Sequence, residues 1–209
     1  MSKKTLVCIH IMPNEIEMFQ NFMIQYRKAL MYCKDYEVYI KATLNLNPKL
    51  TDWDKSELKQ DYFIKIFNEQ FQYKEIHQLN EIILDDSMWG TTQQKRESIK
   101  IDYFDQFVFV DTDIVLHEFQ LSMKQTPYIK FGCGMHTLYS REFWQFIGIP
   151  ESFGGYGPED TFGMGAATNA NERGYNIKQY VLDGLYISED YFNREPSIKD
   201  KIVKSDLKT

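Results

Sequence analysis

Two acidic residues separated by a single threonine, Asp111 and Asp113, follow the apolar run QFVFV at residues 106–110. Such a run is typical of a buried strand, so both carboxylates come at the point where the strand ends. Carboxylate oxygens are hard ligands that favour Mg2+ or Mn2+ over softer metals. We therefore predict a metal site at Asp111 and Asp113, with Thr112 beside it. There the cation would bridge the diphosphate of a nucleotide and offset the charge that develops as the diphosphate leaves.

A short acidic pair also has a purely local explanation. Asp111 could cap a turn while Asp113 begins a solvated loop. The position of the pair favours the metal site, because ligands of open α/β sheets bind at the carboxyl ends of the strands.

A second acidic pair, Glu159 and Asp160, lies in the glycine-rich segment SFGGYGPEDTFG at residues 152–163. Transfer of a group to a hydroxyl acceptor requires a base for the acceptor's proton, and either carboxylate could serve. The alternative is that both acids cap a helix over residues 161–173, where the helix dipole favours negative charge. The two interpretations are compatible, since a helix cap can also face a cleft.

The elements that must position these acids alternate between strand and helix over residues 1–116. The predicted strands cover residues 5–12, 36–44 and 106–110, and the predicted helices cover residues 15–32, 51–71 and 93–104. Residues 75–84 fit either type. This alternation predicts an α/β fold with a mostly parallel, Rossmann-like sheet and helices on both faces.

The length of 209 residues suits a single domain. We expect a catalytic domain over residues 1–193, with a nucleotide-binding half at 1–116 and a loop-rich acceptor half at 117–193. Residues 194–209 are predicted to be a charged tail.

Composition excludes several classes of partner. The net charge is −6 and the basic residues are scattered, which argues against binding to long nucleic acids. The three cysteines show no CxxC spacing, which argues against a disulfide framework or a structural zinc site. The sequence predicts no signal peptide and no membrane span. We expect a cytoplasmic enzyme of microbial or viral origin, and the sequence gives no indication of its oligomeric state.

The two acidic motifs together carry a family resemblance. FVFVDTDIVL resembles the strand and DxD motif of GT-A glycosyltransferases, and IGIPESFGGYGPEDTFGMGA is similar to the Gly-aromatic-Gly-Gly-Glu-Asp segment of galactosyltransferase-like enzymes. Tyr156 replaces the usual tryptophan, Pro158 replaces the second glycine, and Thr161 stands where a third acid is common. The segments GMHTLYSREF and IHIMPNEIEMF resemble further parts of the same fold.

This resemblance implies a GT-A fold and a metal-dependent hexosyltransferase. Such an enzyme moves a sugar from a nucleotide-sugar donor, with UDP favoured by analogy, to a hydroxyl acceptor such as a glycan. Asp111 and Asp113 would contact the metal and the nucleotide. Glu159 and Asp160 would contact the acceptor, with Asp160 as the base and inversion of configuration as the outcome.

The resemblance also suggests where the donor lies. Pro13, Asn14 and Glu15 would be near the nucleotide, and Lys95 and Arg96 could meet the donor sugar or a phosphate. For Lys95 and Arg96 a solvated helix face is the alternative.

A histidine that completes the metal site in related enzymes has no counterpart after His136. Asp183 or water could take its place, since Mg2+ usually keeps several waters. For His136 itself we expect a local polar contact.

Two other functions remain open. A nucleotidyltransferase would use acids and Mg2+ in a similar way, but IMPNEIEMF lacks the glycine-rich, basic phosphate loop expected after the first strand. A catalytically degenerate GT-A-like protein that binds a sugar or nucleotide is the other alternative.

Overall fold

The computed structural model describes residues 3–33, 36–47, 59–84, 91–112, 128–132, 136–141 and 159–181. These residues form one sheet of eight strands. The strands are β1 (Lys3–Ile11), β2 (Tyr36–Asn45), β3 (His77–Gln78), β4 (Glu81–Ile83), β5 (Gln106–Val110), β6 (Tyr128–Gly132), β7 (His136–Ser140) and β8 (Lys178–Val181).

Four α-helices accompany the sheet within the described ranges. They are α1 (Ile16–Leu30), α2 (Gln60–Glu69), α3 (Thr91–Ile99) and α4 (Glu159–Glu172), and a 3-10 turn over Pro13–Glu15 leads into α1. None of the helices in the described part of the chain is long and apolar enough to cross a bilayer.

The strand order is β3-β2-β1-β5-β7-β6-β8, and β4 also pairs with β2. Strands β1 to β5 run parallel to one another, as do β6 and β8, whereas β7 is antiparallel to both of its neighbours. The predicted α/β class and the mostly parallel sheet are therefore confirmed. Because β1 lies between β2 and β5, the carboxyl ends of these three strands meet at one edge, which we call the carboxyl edge.

One face of the sheet is covered by α1 and α2. Aromatic rings dominate this layer: Phe19 stacks on Phe67 with ring centroids 5.6 Å apart, and Phe67 meets Phe71 edge to face at 5.1 Å. The strands contribute apolar side chains at alternate positions, as expected for one face of a pleated sheet. These strand residues are Val7, Ile9, Ile11, Val38, Ile40, Ala42, Leu44, Val108 and Val110.

The opposite face is covered by α3 and α4. Ala167 and Ala170 of α4 pack in a cluster with Leu6, Cys8, Phe104, Phe107, Phe109 and Ile177, and Ile99 of α3 packs against the same cluster. The small alanine side chains let α4 lie close to the large phenylalanine rings of β5. Helices thus lie on both faces, as the sequence predicts.

Boundaries differ from the predicted ones where tertiary contacts end an element. The predicted helix over residues 93–104 was too long, because α3 ends at Ile99 and Tyr103 lies in a turn. The guanidinium of Arg141 donates to the carbonyls of Ile101 and Phe104, on either side of this turn. Residues 75–84, which fit either type, hold β3 and β4. Of the predicted helix over 51–71, residues 51–58 lie outside the described residues.

Replacing Phe67 with alanine is expected to lower the free energy of unfolding by about 3–5 kcal/mol, because a fully buried ring is lost from a packed layer. Urea denaturation followed by circular dichroism measures the change. The control is Tyr32→Ala, which removes a ring that is 69% exposed and should cost no more than about 0.5 kcal/mol. Equal losses for the two variants would contradict the described core.

Candidate functional site

The first predicted site residue, Asp111, lies directly after β5 at the carboxyl edge. All five residues of β5 are buried, whereas Asp111 is half-buried and Thr112 is buried. Alternation along the strand assigns Asp111 to the face of Phe107 and Phe109, which is the face covered by α3 and α4. Its partner Asp113 lies outside the described residues, so the paired arrangement stays a prediction.

The 3-10 turn after β1 is held by hydrogen bonds between its two ends. The backbone N–H of Glu15 donates to the carbonyl of Met12 at 2.9 Å, and the backbone N–H of Met12 donates to Glu15 Oε2 at 2.9 Å. Pro13 and Glu15 are buried, while Asn14 is exposed. The Glu15 carboxylate thus stabilises the turn, and among the three predicted nucleotide contacts only Asn14 has an exposed side chain.

The end of β2 adds a polar group that sequence reasoning missed. Asn45 Oδ1 accepts from the backbone N–H of Asn47 at 3.0 Å, and Asn45 Nδ2 lies 3.3 Å from His10 Nε2 on β1. Asn45 and Asn47 are fully buried and His10 is half-buried. The signal in the sequence was a histidine inside the apolar run of β1.

Helix α3 is fastened to the sheet by a buried amide. Gln94 Nε2 donates to the carbonyl of Ile9 at 2.8 Å and to Thr43 Oγ1 at 2.9 Å, and lies 3.4 Å from the carbonyl of Lys41. Gln94 is 1% exposed. One side chain therefore ties α3 to β1 and β2 just below their carboxyl ends, and it was not predicted as a site residue.

Lys95, the residue after Gln94, is buried, which decides between the two interpretations of this residue. Lys95 is only 3% exposed, and its Nζ lies 5.5 Å from the ring centroid of Phe109, two residues before Asp111. A solvated helix face is therefore wrong for Lys95. Arg96, the next residue, is half-buried. A buried ammonium on this face makes the electrostatic potential near the end of β5 more positive, which favours the binding of anions.

A buried thiol lies on the same face of the sheet as Lys95 and Phe109. Cys8 is buried on β1, and burial raises the pKa of its thiol to about 12. The thiolate is the nucleophilic form, so Cys8 is inert at neutral pH.

The second acidic pair begins α4. Glu159 and Asp160 are the first two residues of this helix, so the helix predicted over residues 161–173 is present and begins two residues earlier. After α4 the chain turns at Gly174, whose φ of 92° suits glycine, and enters β8. A helix that leads into a parallel strand runs opposite to it, so the beginning of α4 lies toward the carboxyl edge.

The topology thus brings most of the predicted site to one edge. Asp111 and Thr112, the 3-10 turn, Lys95 and the start of α4 approach it from different elements. His136, the first residue of β7, pairs with Val110 at the same edge. No group of three or more metal-ligating side chains occurs within the ranges that the structure describes, which include neither Asp113 nor Asp183.

The sequence matches no protein-family model and no curated protein. Its structure is similar to that of a Drosophila β1,4-galactosyltransferase 7 in complex with manganese, UDP-Gal and xylobiose, with a TM-score of 0.51 and 13% identity. A mannosyltransferase, PcManGT from Pyrobaculum calidifontis in complex with GDP-Man and Mn2+, matches with a TM-score of 0.56 and 10% identity. Residues 1–349 of S. aureus TarS in complex with UDP-GlcNAc match with a TM-score of 0.53 and 13% identity.

These matches cover 85%, 85% and 88% of this chain, respectively, and 64%, 54% and 57% of the known structures. The chain therefore spans little more than half to just under two thirds of their length. At these identities the likeness concerns the fold, which is of the GT-A type.

Replacing Gln94 with leucine is expected to lower the free energy of unfolding by about 1–3 kcal/mol, because buried acceptors on β1 and β2 lose their donor. Chemical denaturation measures the loss. The matched control is Gln25→Leu at a half-buried position of α1, which should change stability by about 0.5 kcal/mol or less. If the two variants were equally stable, Gln94 would not fasten α3 to the sheet.

Proposed function

We propose that this protein is a metal-dependent glycosyltransferase that moves a sugar from a nucleotide-sugar donor to a hydroxyl acceptor such as a glycan. The observation that carries the proposal is a half-buried carboxylate, Asp111, at the carboxyl end of the central strand β5 of a GT-A fold. Ligands of open α/β sheets bind at this edge. The order of the two acidic motifs along the chain supports the same function.

The residues present fit a hard divalent cation. Asp111 offers carboxylate oxygens at the carboxyl edge, and Asp113 follows two residues later. Mg2+ and Mn2+ accept one or two carboxylates and fill other positions with water, so a third protein ligand is not required. When bound, such a cation supplies charge neutralisation to a departing diphosphate.

Charge and side-chain exposure support the assignment of residues to the donor half of the site. Lys95 places a buried positive charge 5.5 Å from the ring of Phe109, two residues before Asp111, and Arg96 follows it; we assign both to the sugar or phosphates of the donor. Asn14 is the exposed side chain of the turn after β1 and is assigned to the nucleotide. Pro13 and Glu15 shape that turn. UDP is the proposed nucleotide because galactosyltransferase 7 and TarS were both captured with UDP-sugars.

The acceptor half is assigned to the start of α4. A carboxylate that takes the proton of an acceptor hydroxyl makes direct displacement at the sugar carbon possible, and the proposed outcome is inversion. We assign this role to Asp160, with Glu159 as a further acceptor contact. Acidic residues at these positions also complement the helix dipole.

Asp113→Ala is expected to abolish turnover, since it removes one of the two proposed metal ligands. Release of nucleoside diphosphate from a panel of nucleotide sugars with Mn2+ measures activity. Asp61→Ala, which removes an exposed acid from the first turn of α2, is the control and should retain full activity. Unchanged turnover in the Asp113 variant would defeat the metal assignment. Wild-type protein that binds a nucleotide sugar without releasing product would instead identify a degenerate binding protein.

Asp160→Asn is expected to lower kcat by at least about 100-fold, because the asparagine side chain cannot act as the general base. Donor affinity should stay unchanged, because asparagine has nearly the same size as aspartate. Single-turnover kinetics and donor titration separate the two effects. A helix-dipole role alone predicts full activity with a stability loss of about 0.3–1 kcal/mol. Loss of donor affinity would move Asp160 from the acceptor half to the donor half of the site.

A further inference from the structure

We propose that Asn45 and His10 form a relay that orients the carboxylate of Asp111. The relay runs across three neighbouring strands, β2, β1 and β5, at the carboxyl edge. It rests on the proposed function only in giving Asp111 the role of a metal ligand; the hydrogen bonds themselves are independent of that role. Both residues are positioning residues, since they act through Asp111.

The hydrogen bond from Asn47 fixes the orientation of the Asn45 amide. A backbone N–H can only donate, so the atom of Asn45 that lies 3.0 Å from the N–H of Asn47 must be the oxygen Oδ1. The amide nitrogen Nδ2 therefore faces His10. Because Asn45 is 0% exposed, water does not compete for either end of the amide.

The second step fixes the tautomer of His10. The Asn45 Nδ2 group can only donate, and it lies 3.3 Å from His10 Nε2. The ring nitrogen that faces a donor must offer its lone pair, so Nε2 carries no proton and the neutral ring is protonated on Nδ1. Neither nitrogen then has a lone pair for a metal. His10 accordingly does not replace the histidine found in the metal site of related enzymes.

The third step connects His10 to Asp111. The last register pair between β1 and β5 is Ile9 with Val110, so the next residues along the two strands are His10 and Asp111. Side-chain alternation puts them on the same face, with Cβ atoms roughly 5 Å apart, as for same-face neighbours on adjacent strands. Nε2 faces Asn45 on β2, so the proton on Nδ1 is the one that the ring can donate. We assign the Nδ1–H of His10 to a hydrogen bond with the Asp111 carboxylate.

Such a relay would fix which oxygen of Asp111 remains for a cation. Groups that hydrogen-bond to a metal ligand orient it, and their loss costs affinity although they never touch the metal.

The tautomer is measured by NMR on the whole chain without metal, with 15N-labelled histidine and multiple-bond correlation of the ring signals. The chain has four histidines, and the His10→Gln variant assigns the signals of His10. We expect the Nδ1–H tautomer and a slowly exchanging Nδ1 proton that Asp111→Ala removes. An Nε2–H tautomer, or an Nδ1 proton unaffected by Asp111→Ala, would overturn the relay.

The substitution Asn45→Asp is designed to move the His10 proton from Nδ1 to Nε2 with almost no change in side-chain size. Its carboxylate keeps an acceptor for Asn47 but presents a second acceptor to His10, so we expect a proton on Nε2. Mn2+ affinity, measured by electron paramagnetic resonance, should fall by about 10–100-fold in this variant and in His10→Gln. The matched control is Asn171→Asp, which removes the donor to the Ile177 carbonyl far from the site and should leave the tautomer and Mn2+ affinity unchanged.

The outcomes separate this inference from the proposed function. An Nδ1–H tautomer with unchanged Mn2+ affinity in the Asn45 and His10 variants would overturn the positioning role while leaving the metal site intact. If the wild-type protein showed the tautomer and the Asp111-dependent proton but bound no Mn2+, the hydrogen-bond relay would stand. The metal-dependent function, and with it the role of Asp111 as a ligand, would then fail.

Discussion

The parallel pairing of β1 with β2 on one side and β5 on the other is the constraint on which the site depends. Nine consecutive register pairs join β1 to β2, and five join β1 to β5. Because side chains alternate between faces, a shift of one residue in either pairing would move the polar side chains of the shifted strand to the face filled by α1 and α2. The burial of phenylalanines on both faces holds this register, so the core and the site are specified by the same alternation.

The polar layer between α3 and the sheet follows from this pairing. Gln94, Thr43, Asn45 and His10 lie where an apolar cluster gives way to the carboxyl edge. Buried polar groups are costly unless they are paired, and each of these has a partner within hydrogen-bond distance. A network of this kind is stiff, and stiffness near Asp111 suits a GT-A fold whose proposed task is to hold a charged donor in one orientation.

The sequence predicted the fold better than the site. Strand β5 was predicted with its observed bounds, because four consecutive apolar residues directly before an aspartate leave little choice. The end of α3 could not be predicted, since the turn that follows it is held by Arg141, about forty residues away, which donates to the carbonyls of Ile101 and Phe104. The asparagine and histidine at the ends of β2 and β1 were missed for a similar reason: each is unremarkable alone, and only strand pairing brings them together. For Lys95 the sequence left a donor contact and a solvated helix face open, and only the packing against Phe109 and the sheet excludes the solvated face.

The reversed strand β7 has a consequence for how this fold can change over time. It enters the sheet beside the end of β5, with His136 opposite both Val110 and Gly132, so β6 ends and β7 begins at the edge where β1, β2 and β5 also end. An insertion between β6 and β7 would therefore extend that edge without disturbing the parallel pairing of β1 with β2 and β5. A lineage built on this sheet can diversify its carboxyl edge while inheriting the pairings that hold it.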